Sequence, residues 1–133
     1  METLLVVEDE AAVMDLMLYV LRQYTVLAAT TAQQALGLFT KYARQIDLLV
    51  AEAALLTGSG IRVARLLRSE RPNLPVILTS GYPWSHWDSS DLDWLGSNSV
   101  VILKKPFKVA ALSNAVRQLI GAPQASAGGR VEL

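Results

Sequence analysis

The chain has 133 residues, 52% of them hydrophobic, which is enough for one globular domain with a substantial core. Its 12 basic and 12 acidic residues balance to zero formal charge, so the positive footprint that a nucleic-acid binder needs for phosphate contacts is missing. There is no cysteine for disulfide or thiolate chemistry, no apolar run near the ~20 residues that span a bilayer, and an acid at position 2 where a signal peptide carries bases; a soluble cytoplasmic protein is expected.

Strand and helix signals alternate, which implies βα units around a parallel sheet. Thr3 to Val7 is an unbroken apolar run of the kind buried on both faces, and the acids Glu8, Asp9 and Glu10 follow it. Val13, Leu16, Met17, Val20 and Leu21 recur at helical spacing, predicting a first helix over Ala11 to Tyr24. A second strand covers Thr25 to Ala28. Thr31 is suited to cap a helix from Ala32 to about Ala43, with Ala35, Leu36, Leu38 and Phe39 as its apolar stripe. The third strand, Asp47 to Ala51, runs into Glu52.

Thr57-Gly58-Ser59-Gly60 reads as a flexible loop, followed by a helix over Ile61 to Ser69 with Ile61, Ala64 and Leu67 inward and Arg62, Arg65 and Arg68 more exposed. Pro72 and Pro75 bracket a turn before the fourth strand, Val76 to Thr79. Between Gly81 and Ser99 only a short helix, from about Ser89 to Leu95, is expected. Val100 to Leu103 forms the fifth strand, ending at Lys104-Lys105-Pro106. The last helix spans about Lys108 to Ile120, with Val109, Leu112, Val116 and Leu119 buried and Gly121 and Pro123 as its stop. Residues 1–121 thus make one domain, and residues 122–133, small and rich in Gly and Ala, read as a disordered tail. Because parallel strands end at one edge of their sheet, the acids at 8, 9 and 52, a hydroxyl at 79 or 80 and the lysine at 105 are expected to meet there, where open α/β sheets place their chemistry.

In this order and at these spacings, Leu-Leu-Val-Val-Glu-Asp-Glu at 4–10, Asp-Leu-Leu-Val-Ala-Glu at 47–52 with Gly60 eight residues on, Pro-Val-Ile-Leu-Thr-Ser-Gly-Tyr at 75–82 and Lys-Lys-Pro-Phe at 104–107 resemble the receiver domain of two-component response regulators. The Ser-Gly-Tyr segment is most similar to receivers that work with hybrid sensor kinases. The resemblance covers about Glu2 to Ile120 and implies a flavodoxin-like (CheY-like) fold, a five-stranded parallel sheet in order 2-1-3-4-5 with helices on both faces.

It also implies roles. Glu8 and Asp9 match the acidic pair that binds Mg²⁺, a hard ion that takes carboxylate and water oxygens, although acids opening a helix are favourable there without any metal. The backbone carbonyl of Ala54 matches a main-chain ligand of the same ion. Lys105 matches the lysine that pairs with the phosphoryl group, or simply neutralises the acids around it, and Pro106 matches a proline that follows it through a cis peptide bond. Ser80 aligns with the hydroxyl that swings toward the phosphoryl oxygen, and Thr79, its neighbour on an alternating strand, is expected on the opposite face. The implied partners are a sensor or hybrid histidine kinase or a downstream signalling protein, with the surface of the fourth helix, fifth strand and fifth helix as the face for a partner or a homodimer. Direct nucleic-acid and membrane contacts are not expected.

Two positions depart from the family pattern. Glu52 stands where receivers carry the phospho-accepting aspartate. One extra methylene carries its carboxylate outward by about 1.5 Å, while a misplacement of ~1 Å costs on the order of 100-fold in a reaction whose catalysis is mostly positioning. Efficient phosphorylation is therefore not expected, and the residues leave open an on-like domain, a degenerate one controlled by another input, or a residue placed there by design. The alternative is an active receiver that accepts a phosphoryl group from a histidine kinase and loses it by Mg²⁺-dependent autodephosphorylation. Ile102 occupies the position of an aromatic that in the family turns inward as the hydroxyl moves. Tyr82, Trp84, His86, Trp87 and Trp94 cluster nearby, and serve equally well as interface anchors or as a roof over a loosely packed fourth helix.

Overall fold

A computed structural model describes residues 2–81 and 87–123. Five strands form one parallel sheet: β1 (Thr3–Val7), β2 (Thr25–Ala29), β3 (Ile46–Glu52), β4 (Val76–Ser80) and β5 (Val101–Lys104). Their order is β2-β1-β3-β4-β5, the doubly wound arrangement expected from the sequence. β1 is an inner strand that pairs with β2 through Leu4↔Val26 and Val7↔Ala29, and with the central β3 through Leu4↔Leu48 and Val7↔Ala51. Burial on both faces explains why β1 carries no polar alternation: Leu4, Leu5, Val6 and Val7 are all fully inaccessible.

Side-chain alternation sorts the strand residues into two apolar layers. Leu5, Val7, Leu49, Ala51 and Leu78 face α2 (Ala32–Tyr42) and α3 (Gly60–Glu70), whose Phe39, Ile61, Ala64 and Leu67 complete that layer. Leu4, Val6, Leu48, Val50 and Ile77 face α1 (Ala11–Val20) and α5 (Val109–Ile120), which supply Met14, Met17, Leu112 and Val116. The remaining helix, α4 (Ser89–Ser97), packs on the first layer through Trp94 and Leu95. Thr31 caps α2 as expected, its hydroxyl accepting the Gln34 N–H at 3.0 Å.

The structure corrects several boundaries. α1 ends at Val20 rather than Tyr24. Leu21 and Tyr24 remain buried, so the apolar pattern continues through a turn in which the Tyr24 N–H donates to the Leu21 carbonyl at 2.9 Å. α4 runs two residues beyond Leu95, to Ser97, and β5 covers Val101–Lys104 rather than Val100–Leu103. The segment read as a flexible loop is an antiparallel hairpin that pairs Ala54 with Ser59 and Leu55 with Gly58. Gly58, at φ 136°, supplies the turn that a side chain resists, and Ser59 caps α3 by accepting the Arg62 N–H at 3.3 Å. A Cβ on Gly60 would collide with the backbone carbonyl oxygen of Glu52, so the return of the chain past the end of β3 requires glycine. The tail expected at 122–133 lies almost wholly outside the described residues, as do Tyr82, Trp84 and His86.

Candidate functional site

Because β1, β3 and β5 run parallel, the residues that leave their C-terminal ends emerge at one edge of the sheet. Alternation also aims them to one side: Glu8 continues the parity of Leu4 and Val6, Glu52 that of Leu48 and Val50, and Lys105 that of Val101 and Leu103, all on the α1/α5 layer. Glu8, Asp9, Glu10, Glu52 and Lys105 line one cleft, together with Ala54, Leu55, Leu56 and Gly81. Asp47 lies at the other end of β3, where its carboxylate accepts the Thr3 N–H at 2.8 Å.

Lys105 sits between two buried acids. Its Nζ is 2.5 Å from Glu52 Oε1 and 2.8 Å from Glu8 Oε1, and the two carboxylates are only 7% and 1% exposed. The contact to Glu8 is an ion pair by distance and not a hydrogen bond by angle, since Oε1 has no hydrogen-bonding partner there. Glu10, 4.0 Å away and largely exposed, is a distant third acid. Burial raises the Glu52 carboxyl above its ordinary 4.5, a push that the hydrogen bond and charge of Lys105 reduce and that the charge of Glu8 reinforces. Burial would lower Lys105, but the hydrogen bond to Glu52 and the charges of Glu52 and Glu8 outweigh it and hold the ammonium above its ordinary 10.5. The two directions agree physically: the lysine has two acids to one cation, whereas each acid shares its cation with a rival.

The other carboxylate oxygens are engaged too. Glu8 Oε2 accepts the Glu10 N–H at 3.0 Å, Asp9 Oδ2 accepts the Leu56 N–H at 2.6 Å, and Glu52 Oε2 takes a long 3.4 Å contact from the Ala54 N–H. Among the described residues no three acidic or histidine side chains group closely enough to hold a metal ion. The Lys105 ammonium draws on Glu8 and Glu52, two acids that line the same cleft as Asp9 and Ala54 and that an Mg²⁺ ion would share. Glu10 and Leu56 were not singled out by the sequence. Glu10 could have been, as the last of three consecutive acids, whereas Leu56 acts through its backbone, which leaves no signal in residue type.

The two hydroxyls at the end of β4 take opposite faces. The alternation on β4 holds, but it is Thr79 that follows Ile77 onto the side of Glu52, while Ser80 follows Val76 and Leu78. Ser80 is buried, and its carbonyl accepts the Lys105 N–H at 2.8 Å. Thr79 is fully buried, and its hydroxyl has no hydrogen-bond partner among the described residues. The Lys105–Pro106 peptide bond is cis. Ile102 is half-buried on the layer that also holds Trp87, Trp94 and Leu95. Trp87 and Trp94 are partly buried against that layer, while Tyr82 and Trp84 lie outside the described residues.

This edge-of-sheet lysine and acid cleft, on a β2-β1-β3-β4-β5 sheet, is the architecture of a signal-receiving module. The sequence model of the response regulator receiver domain matches residues 4–117. A response regulator receiver protein from Sinorhizobium medicae is 31% identical, superimposes with a TM-score of 0.74, and the match covers 92% of this chain and 97% of that one. The receiver domain of the hybrid histidine kinase CckA is similar at 28% identity and a TM-score of 0.72, over 89% and 98% of the two chains. A response regulator receiver domain protein from Clostridium thermocellum, 24% identical, shares the fold with a TM-score of 0.77 over 90% and 94%. The chain belongs to the response regulator receiver domain family and is a receiver of two-component signalling. No helix among the described residues is long and apolar enough to cross a membrane.

Proposed function

We propose that this receiver is an atypical one that signals by contact with a partner protein, a sensor or hybrid histidine kinase or a downstream signalling protein, and that it is not efficiently phosphorylated. The observation that carries this reading is the Glu52–Lys105 pair, 2.5 Å long with Glu52 almost fully enclosed. Glu52 stands at the acceptor position, and its carboxylate holds the lysine that would otherwise receive a phosphoryl oxygen. The mimicry of a phosphorylated site is partial, because a phosphoryl group brings about −1.5 to −2 charge and three acceptor oxygens where a carboxylate brings one charge and two oxygens.

In this reading Lys105 stands in for a divalent ion as the resident cation, and Glu8 and Asp9 serve the charge balance and backbone anchoring of the cleft. A homodimer through α4, β5 and α5 is the alternative form of partnership. The test is incubation with a small-molecule phosphodonor and Mg²⁺, followed by intact mass. The unmodified mass is expected; an adduct of about 80 Da on Glu52 would instead establish the active receiver.

A further inference from the structure

Outside the cleft, α3 carries arginines at 62, 65 and 68, a three-residue step that keeps them on one stripe of the helix. The N-cap and body of α4 carry Asp88, Asp91 and Trp94 at the same step. The two stripes meet rung by rung and in the same direction along the chain. Arg62 Nη2 lies 3.8 Å from Asp88 Oδ2, Arg65 Nη1 is 2.8 Å from Asp91 Oδ1, and the Arg68 guanidinium stands 6.0 Å from the centre of the Trp94 ring.

The rungs differ in weight. The first is exposed on both sides and contributes little. The second is buried at its acid end, the Asp91 side chain being 7% exposed and Arg65 38%, so that loss of Arg65 would strand a buried charge. The third is extended by backbone contacts: Arg68 donates from Nε to the Leu74 carbonyl at 2.7 Å and from Nη2 to the Ser99 carbonyl at 2.5 Å. Arg68 therefore ties α3 to both the chain entering β4 and the chain leaving α4. No residue of this ladder lines the acid cleft.

We propose that the ladder latches α4 onto α3 and sets the position of the α4 surface independently of the charge state of the cleft, with the Arg65–Asp91 rung as its principal positioning pair. This inference does not depend on whether Glu52 accepts a phosphoryl group. A partner that reads α4 would then meet one fixed surface.

Amide hydrogen exchange on the whole chain tests both halves. Asp91→Asn and Arg65→Leu should each accelerate exchange in Ser89–Ser97 on the order of 100-fold, while β1 and β3 change by less than about threefold. The charge swap Arg65→Asp with Asp91→Arg should recover most of the protection, which shows that pairing and not residue identity is responsible; it serves also if a single variant fails to fold. Glu52→Gln should leave α4 exchange within about threefold of the parent. Unchanged α4 exchange in the single variants, uniform acceleration of the whole sheet, or a swap that recovers nothing would overturn the latch. A change in α4 of more than about tenfold in Glu52→Gln would overturn its independence from the cleft.

Discussion

Replacing Lys105 by methionine keeps the length of the apolar stem and removes a cation that lies within 3 Å of two buried carboxylates. Glu8 and Glu52, at 1% and 7% exposure, would then face each other without compensation. Breaking a buried pair in this way costs about 3–5 kcal/mol, and with two acids left behind the upper half of that range is expected. At the ~2–8 °C per kcal/mol of a domain of this size, the melting temperature should fall by at least about 8 °C near pH 7.5.

The dependence on pH carries a definite sign. Burial already holds the Glu52 carboxyl above its ordinary value, so the stability it contributes is complete below that value and is lost as the pH rises through the raised one. Without Lys105 its lowering influence disappears, the folded value rises further, and the deficit of the variant should be larger at pH 7.5 than at about pH 5. In the parent, Lys105 is raised, so its own contribution persists below its ordinary 10.5 and is lost only as the pH climbs through the higher folded value. Urea unfolding followed by tryptophan fluorescence at both pH values measures these differences. Adding Glu52→Gln to Lys105→Met should return about 1–3 kcal/mol near neutrality, since a neutral amide removes one of the stranded charges. A Lys105→Met variant within about 1 kcal/mol of the parent, with no response to pH, would refute the reasoning, because it would mean that water and not the lysine compensates the acids.

Three other consequences can be measured. Adding Mg²⁺ to about 10 mM should leave the melting curve in place, whereas an ion bound with a dissociation constant of ~1 mM would stabilise the fold by about 1.4 kcal/mol and shift it visibly. Glu52→Gln alone should be neutral or stabilising by up to about 1 kcal/mol, since Lys105 keeps Glu8 and the desolvation of a charge is relieved; a loss above about 2 kcal/mol in chemical denaturation would contradict this. Gly60→Ala should destabilise by more than about 3 kcal/mol, because the obstacle is the backbone of Glu52 and cannot rotate away; a fall in melting temperature of only a degree or two would show that the hairpin yields.

The sheet was legible because β1, β3 and β4 are buried on both faces and so appear as unbroken apolar runs, and strand-end positions then place Glu8, Glu52 and Lys105 together without any knowledge of packing. What remained hidden depends on contacts between distant or backbone groups. The hairpin at 54–59 is only two residues per strand, held by the φ of Gly58, the cap at Ser59 and the narrow passage at Gly60, and none of these registers as periodicity. α1 seemed to continue to Tyr24 because Leu21 and Tyr24 stay in the core after the backbone has turned. Arg65 and Arg68 read as exposed members of an amphipathic helix, yet both are half-buried, since their partners Asp91, Trp94 and Ser99 lie 26 to 31 residues away. Ser80 and Thr79 illustrate a subtler limit. The alternation was legible, but which of the two shares the side of Glu52 depends on where the strand register begins.

The most direct trial of the central claim, that the extra methylene at position 52 directs this carboxylate to Lys105 and away from phosphoryl chemistry, is a paired mass measurement. Parent and Glu52→Asp are incubated side by side with the same phosphodonor and Mg²⁺, and residue 52 is assigned by peptide fragmentation. The account predicts an adduct of about 80 Da on the shortened side chain alone. Equal labelling of the two proteins at that position, or labelling of the parent only, would contradict it.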